Sequence, residues 1–226
     1  MPDPHRPTGR VARALSHRLR TIVGVTVPVY GLDIETDTTV DGLDPAVAPI
    51  VAVAVATGDE DHVLLGTEAG LLRRLDELVA SLPAGLLVTW NGAAFDLPFL
   101  ADRSRAAGVA LGLHLEADPS ITRCHGDEPP RPGYRGGWYG HRHLDGYRLY
   151  RADVGRSLGL SCALKSLSRL VGLAPVEVDR ARVHDLDEPT LRAYVASDAR
   201  LARELVLRRL PVAASFADRC QGAAPG

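Results

Sequence analysis

The spacing of apolar positions changes along the chain, and each change marks an element. Val29-Tyr30-Gly31-Leu32-Asp33-Ile34-Glu35 reads as a core strand with two carboxylates near its C-terminal end. Ile50 to Thr57 is a second strand, bounded by Pro49 and Gly58, and His62 to Leu65 is a short third. Their short connections predict an antiparallel meander. Glu68 to Ser81 carries Leu71, Leu72, Leu75, Leu78 and Val79 at helical spacing, and Pro83 and Gly85 end it. Leu86 to Trp90 is a strand reached through a helix, so a parallel partner is expected. Asn91-Gly92 closes it, and Phe95 to Ala107 reads as a helix with Pro98 in its first turn.

Residues 108–142 are rich in Gly, Pro, Arg and His and lack periodicity, which predicts a long functional or mobile loop. His143 to Tyr150 restores a short strand and turn. Ser161 to Val171 is an amphipathic helix stopped by Gly172, and Asp187 to Leu210 is the longest helix, with Pro189 in its first turn. The fold class is therefore α/β, with a mixed central sheet (antiparallel meander plus parallel strands) flanked by helices. Residues 1–27 carry five arginines against Asp3 and include Pro2, Pro4 and Pro7, the pattern of a solvated tail or of a basic arm touching nucleic acid. The folded domain is expected over 28–212, followed by a tail over 213–226.

The 226 residues, 46% of them hydrophobic, suffice for one sizeable core. A net charge of −2 means that any affinity for nucleic acid comes from local patches or metal ions. Cys124, Cys162 and Cys220 share no CxxC spacing, which argues against a disulfide framework and for a reducing, cytoplasmic setting. No apolar run is long enough to span a membrane, and no secretory signal is evident.

Asp33 and Glu35 are two apart, so on a strand both lean to one face. Adjacent carboxylates repel and are costly to bury unless a cation lies between them; the alternative is a solvated strand end. Asp96 follows a strand end and starts a helix, where an acid is also an ordinary first-turn residue. Tyr194 and Asp198 are i and i+4 on a helix, and a core tyrosine beside a surface acid has the same spacing. Taken together, four carboxylates from three separate elements with a tyrosine one turn before the last suit two hard divalent cations and a positioned water, the equipment for phosphodiester cleavage.

The order D-x-E, then N-x4-D after a strand, then Y-x3-D on a late helix resembles the tyrosine-bearing (DEDDy) branch of the DnaQ-like 3′–5′ exonuclease superfamily, which has a ribonuclease H-like fold. Asn91-Gly92-Ala93-Ala94-Phe95-Asp96-Leu97-Pro98-Phe99 looks most like the proofreading domain of family B DNA polymerases, as do His143-Leu144-Asp145 and Leu164-Lys165-Ser166-Leu167. The resemblance runs from about Val29 to Leu210. The branch with histidine five residues before the last aspartate is excluded, because Ala193 stands there. Ala93 departs from the acid often found at its position in the polymerase domains. With no polymerase region in these 226 residues, a free-standing or partner-bound nuclease is expected.

The resemblance implies that Asp33, Glu35, Asp96 and Asp198 ligate two Mg²⁺ or Mn²⁺ ions, with Tyr194 orienting the attacking water, and that Thr36 and Asn91 touch the terminal nucleotide of a single strand bound by its 3′ end. Phe95 stacks near a base or, as favoured, fills the core. The arginines and aromatics of 131–151, Arg135, Trp138 and Arg142 among them, suit a strand-guiding surface. Asp145 reads as a supporting residue rather than a ligand, and Lys165 as a phosphate contact or, more simply, a solvated helix position. A zinc site from Cys124, His125, His141 and His143 matches no standard spacing. Two competing readings keep the fold: a catalytically silent nucleic-acid module, and a structure-specific endonuclease.

Overall fold

The computed structural model describes residues 27–123 and 129–209. Most of the N-terminal arm, the C-terminal tail, Cys124, His125 and Cys220 lie outside them.

Among the described residues there are seven strands, β1 (Val29–Thr36), β2 (Ile50–Ala56), β3 (Asp61–Leu65), β4 (Leu86–Thr89), β5 (Leu113–Arg123), β6 (Arg131–Trp138) and β7 (His141–Asp145). They form one sheet in the order β3-β2-β1-β4-β7-β6-β5. The first three strands pair antiparallel, β4 joins β1 in parallel, β7 joins β4 in parallel, and β6 and β5 complete an antiparallel edge. Among the described residues the helices are α1 (Glu68–Ser81), α2 (Asp96–Ala106), α3 (Gly146–Tyr150), α4 (Arg156–Leu158), α5 (Leu164–Leu170) and α6 (Glu188–Arg208). A π-helical turn, Arg151–Gly155, links α3 to α4, and a 3₁₀ turn, Arg180–Asp185, precedes α6.

The expected long loop is corrected. Residues 113–123 and 131–138 pair as a β-hairpin with an irregularity between Asp118 and Thr122. Its strands hold few β-branched residues, and Pro132, Gly133, Gly136 and Gly137 erase the alternation that would announce a strand. Backbone pairing with β7 and packing against α2 override weak local propensity.

The two faces of the sheet carry different side chains for a visible reason. In β2, Val53 and Val55 join the main core with Leu71, Leu72 and Leu75 of α1 and with Tyr30, Leu32 and Ile34 of β1. On the other face Ala52, Ala54 and Ala56 pack against Val195 and Ala199 of α6. Small residues on that face let α6 lie close. Gly31 takes this furthest: a β-carbon there would collide with the Ala199 carbonyl. Because residues alternate, the side of β1 that carries Gly31 also carries Asp33 and Glu35. The same close approach therefore sets Tyr194 and Asp198, on α6, against those two acids.

Candidate metal centre

β1 ends in a carboxylate pair because the alternation that buries Leu32 and Ile34 turns Asp33 and Glu35, both half-buried, toward α6. Ligand oxygens of Asp33, Glu35 and Asp198 all lie within 4.8 Å of one another. Asp33 Oδ2 and Asp198 Oδ1 are buried without a hydrogen-bond partner. Asp96, in the first turn of α2, is buried and lies outside that closest group, yet its charge reaches both Asp33 and Glu35.

Electrostatics agree with this crowding. Burial, then the charges of Glu35, Asp198 and Asp96, holds the Asp33 carboxyl well above the usual range. Glu35 is pushed up to about 8 by burial and then by Asp198. Asp96 is raised mainly by burial, against hydrogen bonds from the backbone amides of Asp96 and Ile34. Asp198 is raised by burial, with Lys165 and Arg180 opposing. Tyr194, fully buried, has its hydroxyl pushed up by burial and by Glu35 and Asp198, so it stays protonated. Carboxylates pressed together with acceptor oxygens unused are the chemistry of a site for a hard divalent cation, and the all-oxygen donor set fits one. Asp33, Glu35 and Asp198 form a group able to hold such an ion.

The turn that delivers Asp96 is braced from below. Asn91 adopts φ 71°, a left-handed conformation asparagine tolerates. Asp145 accepts hydrogen bonds from the amides of Asn91 (3.0 Å), Ala93 (3.2 Å) and Arg148 (3.3 Å). It is thus a support for the turn, as expected from the sequence. Thr89 Oγ1 accepts from the Gly92 amide at 3.1 Å and bonds His143 Nε2 at 2.8 Å. Burial pushes His143 down to about 3, keeping it neutral. The bond between Thr89 and His143 was missed as a support because the two are 54 residues apart; His143 stood in a motif segment, but nothing in the sequence joined it to Thr89.

Several expected substrate residues are placed otherwise. Trp138 is fully buried in the main core and donates Nε1 to Asp76 Oδ1 at 2.8 Å, so it offers no surface to a base. Arg142 is exposed at the opposite end of the strands: it is in register with Leu86, and Leu86 with Val29, six residues before Glu35. At about 3.3 Å per residue that is roughly 20 Å from the carboxylates. Thr36 is buried, its hydroxyl donated to the Gly42 carbonyl at 2.6 Å. Phe95, by contrast, fills the core as favoured from the sequence, with its ring 5.1 Å from that of Phe99. Arg135 is exposed on the hairpin and pairs with Asp118 at 2.9 Å. Asn91 remains exposed beside the site.

Lys165 does not occupy the solvated helix position expected of it. Its Nζ donates to the Val176 carbonyl at 2.6 Å, lies 3.4 Å from Asp198 Oδ1, and sits 4.0 Å from the centroid of the Tyr194 ring. A second cation, Arg180, was not anticipated. Its charge acts on Asp33, Glu35, Asp96, Asp198 and Tyr194. It belongs to a short turn in a stretch without periodicity, which leaves no sequence signal to find it by.

Over 91 residues the chain is 31% identical to a DNA polymerase of Archaeoglobus fulgidus, a match covering 40% of this chain and 11% of that polymerase. The family B DNA polymerase of the hyperthermophilic archaeon Pyrobaculum calidifontis superimposes with a TM-score of 0.66 at 22% identity, covering 82% of this chain and 25% of that one. The fold is one that a family B DNA polymerase contains. It is the ribonuclease H-like α/β arrangement expected from the motifs, and the 91-residue segment is homologous to part of an archaeal polymerase. The chain spans about a tenth of the curated polymerase's length and a quarter of the solved one's. No protein-family model matches it. Among the described residues no helix is long and apolar enough to cross a membrane.

Proposed function

We propose that the chain is a metal-dependent 3′–5′ exonuclease acting on single-stranded nucleic acid, DNA in preference to RNA. The observation that carries this reading is the convergence of Asp33, Glu35 and Asp198 within 4.8 Å, with a buried Asp33 oxygen left without a hydrogen bond. The likeness to DNA polymerases supports the substrate class.

In this reading Asp33, Glu35, Asp96 and Asp198 hold two Mg²⁺ or Mn²⁺ ions. Bound there, the ions supply countercharge to the phosphodiester oxygens and acidity to a nucleophilic water. The protein's own groups do the positioning. Tyr194 keeps its proton, so its hydroxyl orients water by hydrogen bonding and does not act as a base. Lys165 holds its ammonium against Asp198 and the Tyr194 ring, fixing both side chains. Asp145, Thr89 and His143 hold the turn that presents Asp96.

The test is digestion of a 5′-labelled single-stranded oligonucleotide with Mg²⁺, Mn²⁺ or EDTA, beside Asp33→Ala. A metal-dependent ladder shortening from the 3′ end, absent in the variant, is the expected result. Internal cuts point to an endonuclease, and binding without cleavage to a silent module.

A further inference from the structure

We propose that Arg180 is the substrate-positioning residue of this site, gripping the anionic oxygens of the terminal phosphodiester above the carboxylates. The inference rests on the nuclease reading for its substrate and on separate geometry for its residue.

The segment between α5 and α6 is tethered on both sides of the carboxylates. On one side the Val176 amide donates to Ser197 Oγ at 3.0 Å and the Val176 carbonyl accepts from Lys165 at 2.6 Å; Ser197 immediately precedes Asp198. On the other side Thr38 Oγ1 bonds His184 Nδ1 at 2.8 Å and accepts from the His184 amide at 3.3 Å; Thr38 follows closely on Glu35. Arg180 lies between these anchors, at the start of the 3₁₀ turn, where Asp179 accepts from the Ala181 amide at 3.1 Å. The segment is thus stretched over the site by bonds that do not involve Arg180 itself.

Two facts separate Arg180 from Lys165. Lys165 is committed to the Val176 carbonyl and to Asp198, with 18% of its side chain exposed. Arg180 is exposed, and among the described residues no hydrogen bond engages its guanidinium, while its charge is felt by all four acids. Four carboxylates carry four negative charges and two divalent ions would offset them. Among the described residues, the cations whose charge reaches these acids are then Lys165, already engaged, and Arg180, exposed as a residue while its guanidinium is partly desolvated against the acids and Tyr194. A guanidinium presents paired donors in a plane that matches two phosphate oxygens, which an ammonium does not.

The experiment compares two fluorescent oligothymidylates with Mn²⁺ present. In one the last linkage is a charged, non-cleavable phosphonate; in the other it is a neutral methylphosphonate. The wild type is expected to bind the charged oligonucleotide about 10-fold more tightly. R180Q is expected to bind both alike, with a salt slope for the charged one shallower by about 0.7. R180K is expected to recover part of the discrimination. The Mn²⁺-induced rise in melting temperature should persist in R180Q, because Arg180 holds phosphate rather than metal.

Discrimination in R180Q equal to wild type overturns the assignment, and so does loss of the Mn²⁺ response, which would make Arg180 a prop of the carboxylates. Failure of the wild type to cleave an ordinary oligothymidylate, with discrimination intact, removes the nuclease reading and leaves Arg180 assigned. A wild type that binds neither oligonucleotide removes both.

Discussion

Two regions of this molecule bury aspartates and treat them in opposite ways. On the β5–β6 hairpin, Asp118 is buried, but Ser120 donates to it from amide (2.9 Å) and hydroxyl (2.6 Å), and Arg135 from Nε at 2.9 Å. Burial raises Asp118, the donors outweigh it, and the carboxyl is held down at about 2. Where the end of β1 meets α6, Asp33 and Asp198 face other acids: Asp33 Oδ2 is buried with no hydrogen-bond partner, and the buried Asp198 Oδ1 is met by the Lys165 ammonium at 3.4 Å. A paired acid stabilises its own fold. An acid left among acids lowers stability unless a ligand arrives, so the difference separates structural carboxylates from those that await a cation.

The largest effect expected from this contrast is on catalysis. Asp33→Asn and Asp198→Asn should each reduce cleavage by about 10³-fold or more, since each withdraws a proposed ligand. In EDTA the same variants should melt a few degrees above wild type, because repulsion is relieved. Melting temperature in EDTA decides the matter: variants that melt below wild type would class these acids with the paired, structural Asp118.

Next in size is Gly31→Ala, which touches no acid. The added methyl meets the Ala199 carbonyl and forces α6 away from β1. A loss of about 3 kcal/mol by urea unfolding is expected, with cleavage impaired even where the protein is still folded, because Asp198 moves off with α6. Unchanged stability would mean that the close approach does not set the site.

These two positions also show what the sequence could and could not announce. Asp33 and Glu35 were legible because strand periodicity decides on its own which side they share. The alternating Val and Ala of β2 announced a strand in the same local way, but the reason its small side chains face α6 appears only when α6 is in place. Arg180 and the Thr89–His143 brace depend on segments tens of residues apart, and no local pattern records such distances. The hairpin failed for another reason: glycines and a proline remove the alternation, and its strands are specified by β7 and α2. Trp138 and Arg142 followed that error, since arginines and aromatics in a presumed loop look like one surface, whereas Trp138 is core and Arg142 faces the far end.

A smaller effect concerns pH. Raised carboxyls at the site mean that the folded chain binds more protons than the unfolded one between about pH 4, where free carboxylates titrate, and about 8, where Glu35 is held. Stability in EDTA therefore falls as pH rises through that window. Below about 6.5 His143 works the other way, because its depressed value means the unfolded chain takes the proton first. The clean reading is between pH 6.5 and 8: melting temperature should fall in EDTA and stay nearly flat with Mn²⁺. Asp118 adds nothing there, since its stabilisation is lost only as pH drops from about 4 toward 2. An Asp33→Asn protein that keeps the full slope would contradict the account.

Asp118→Ala tests the other half of the contrast and should be modest. It removes the Asp118 partner of Arg135, whose side chain is 52% exposed, and of Arg148, so about 1–2 kcal/mol of stability is expected to go. Cleavage should change little.

The smallest effect is the sharpest check on the corrected geometry. Arg142 and Arg148 are six residues apart in a segment that the sequence treats as one basic surface. The sheet separates them: Arg142 is in register with Leu86 at the far end of β4, whereas the amide of Arg148 binds Asp145, the residue that also holds Asn91 and Ala93. Arg142→Gln should leave KM, and its dependence on salt, where the wild type has them. Arg148→Gln is expected to raise KM about 2-fold, since its guanidinium reaches Ser120 and Asp118 on the hairpin beside the turn and leaves little for a strand. A rise in KM from Arg142→Gln alone would mean that the substrate runs across the opposite end of the strands, away from the carboxylates, and the proposed polarity of binding would have to be abandoned.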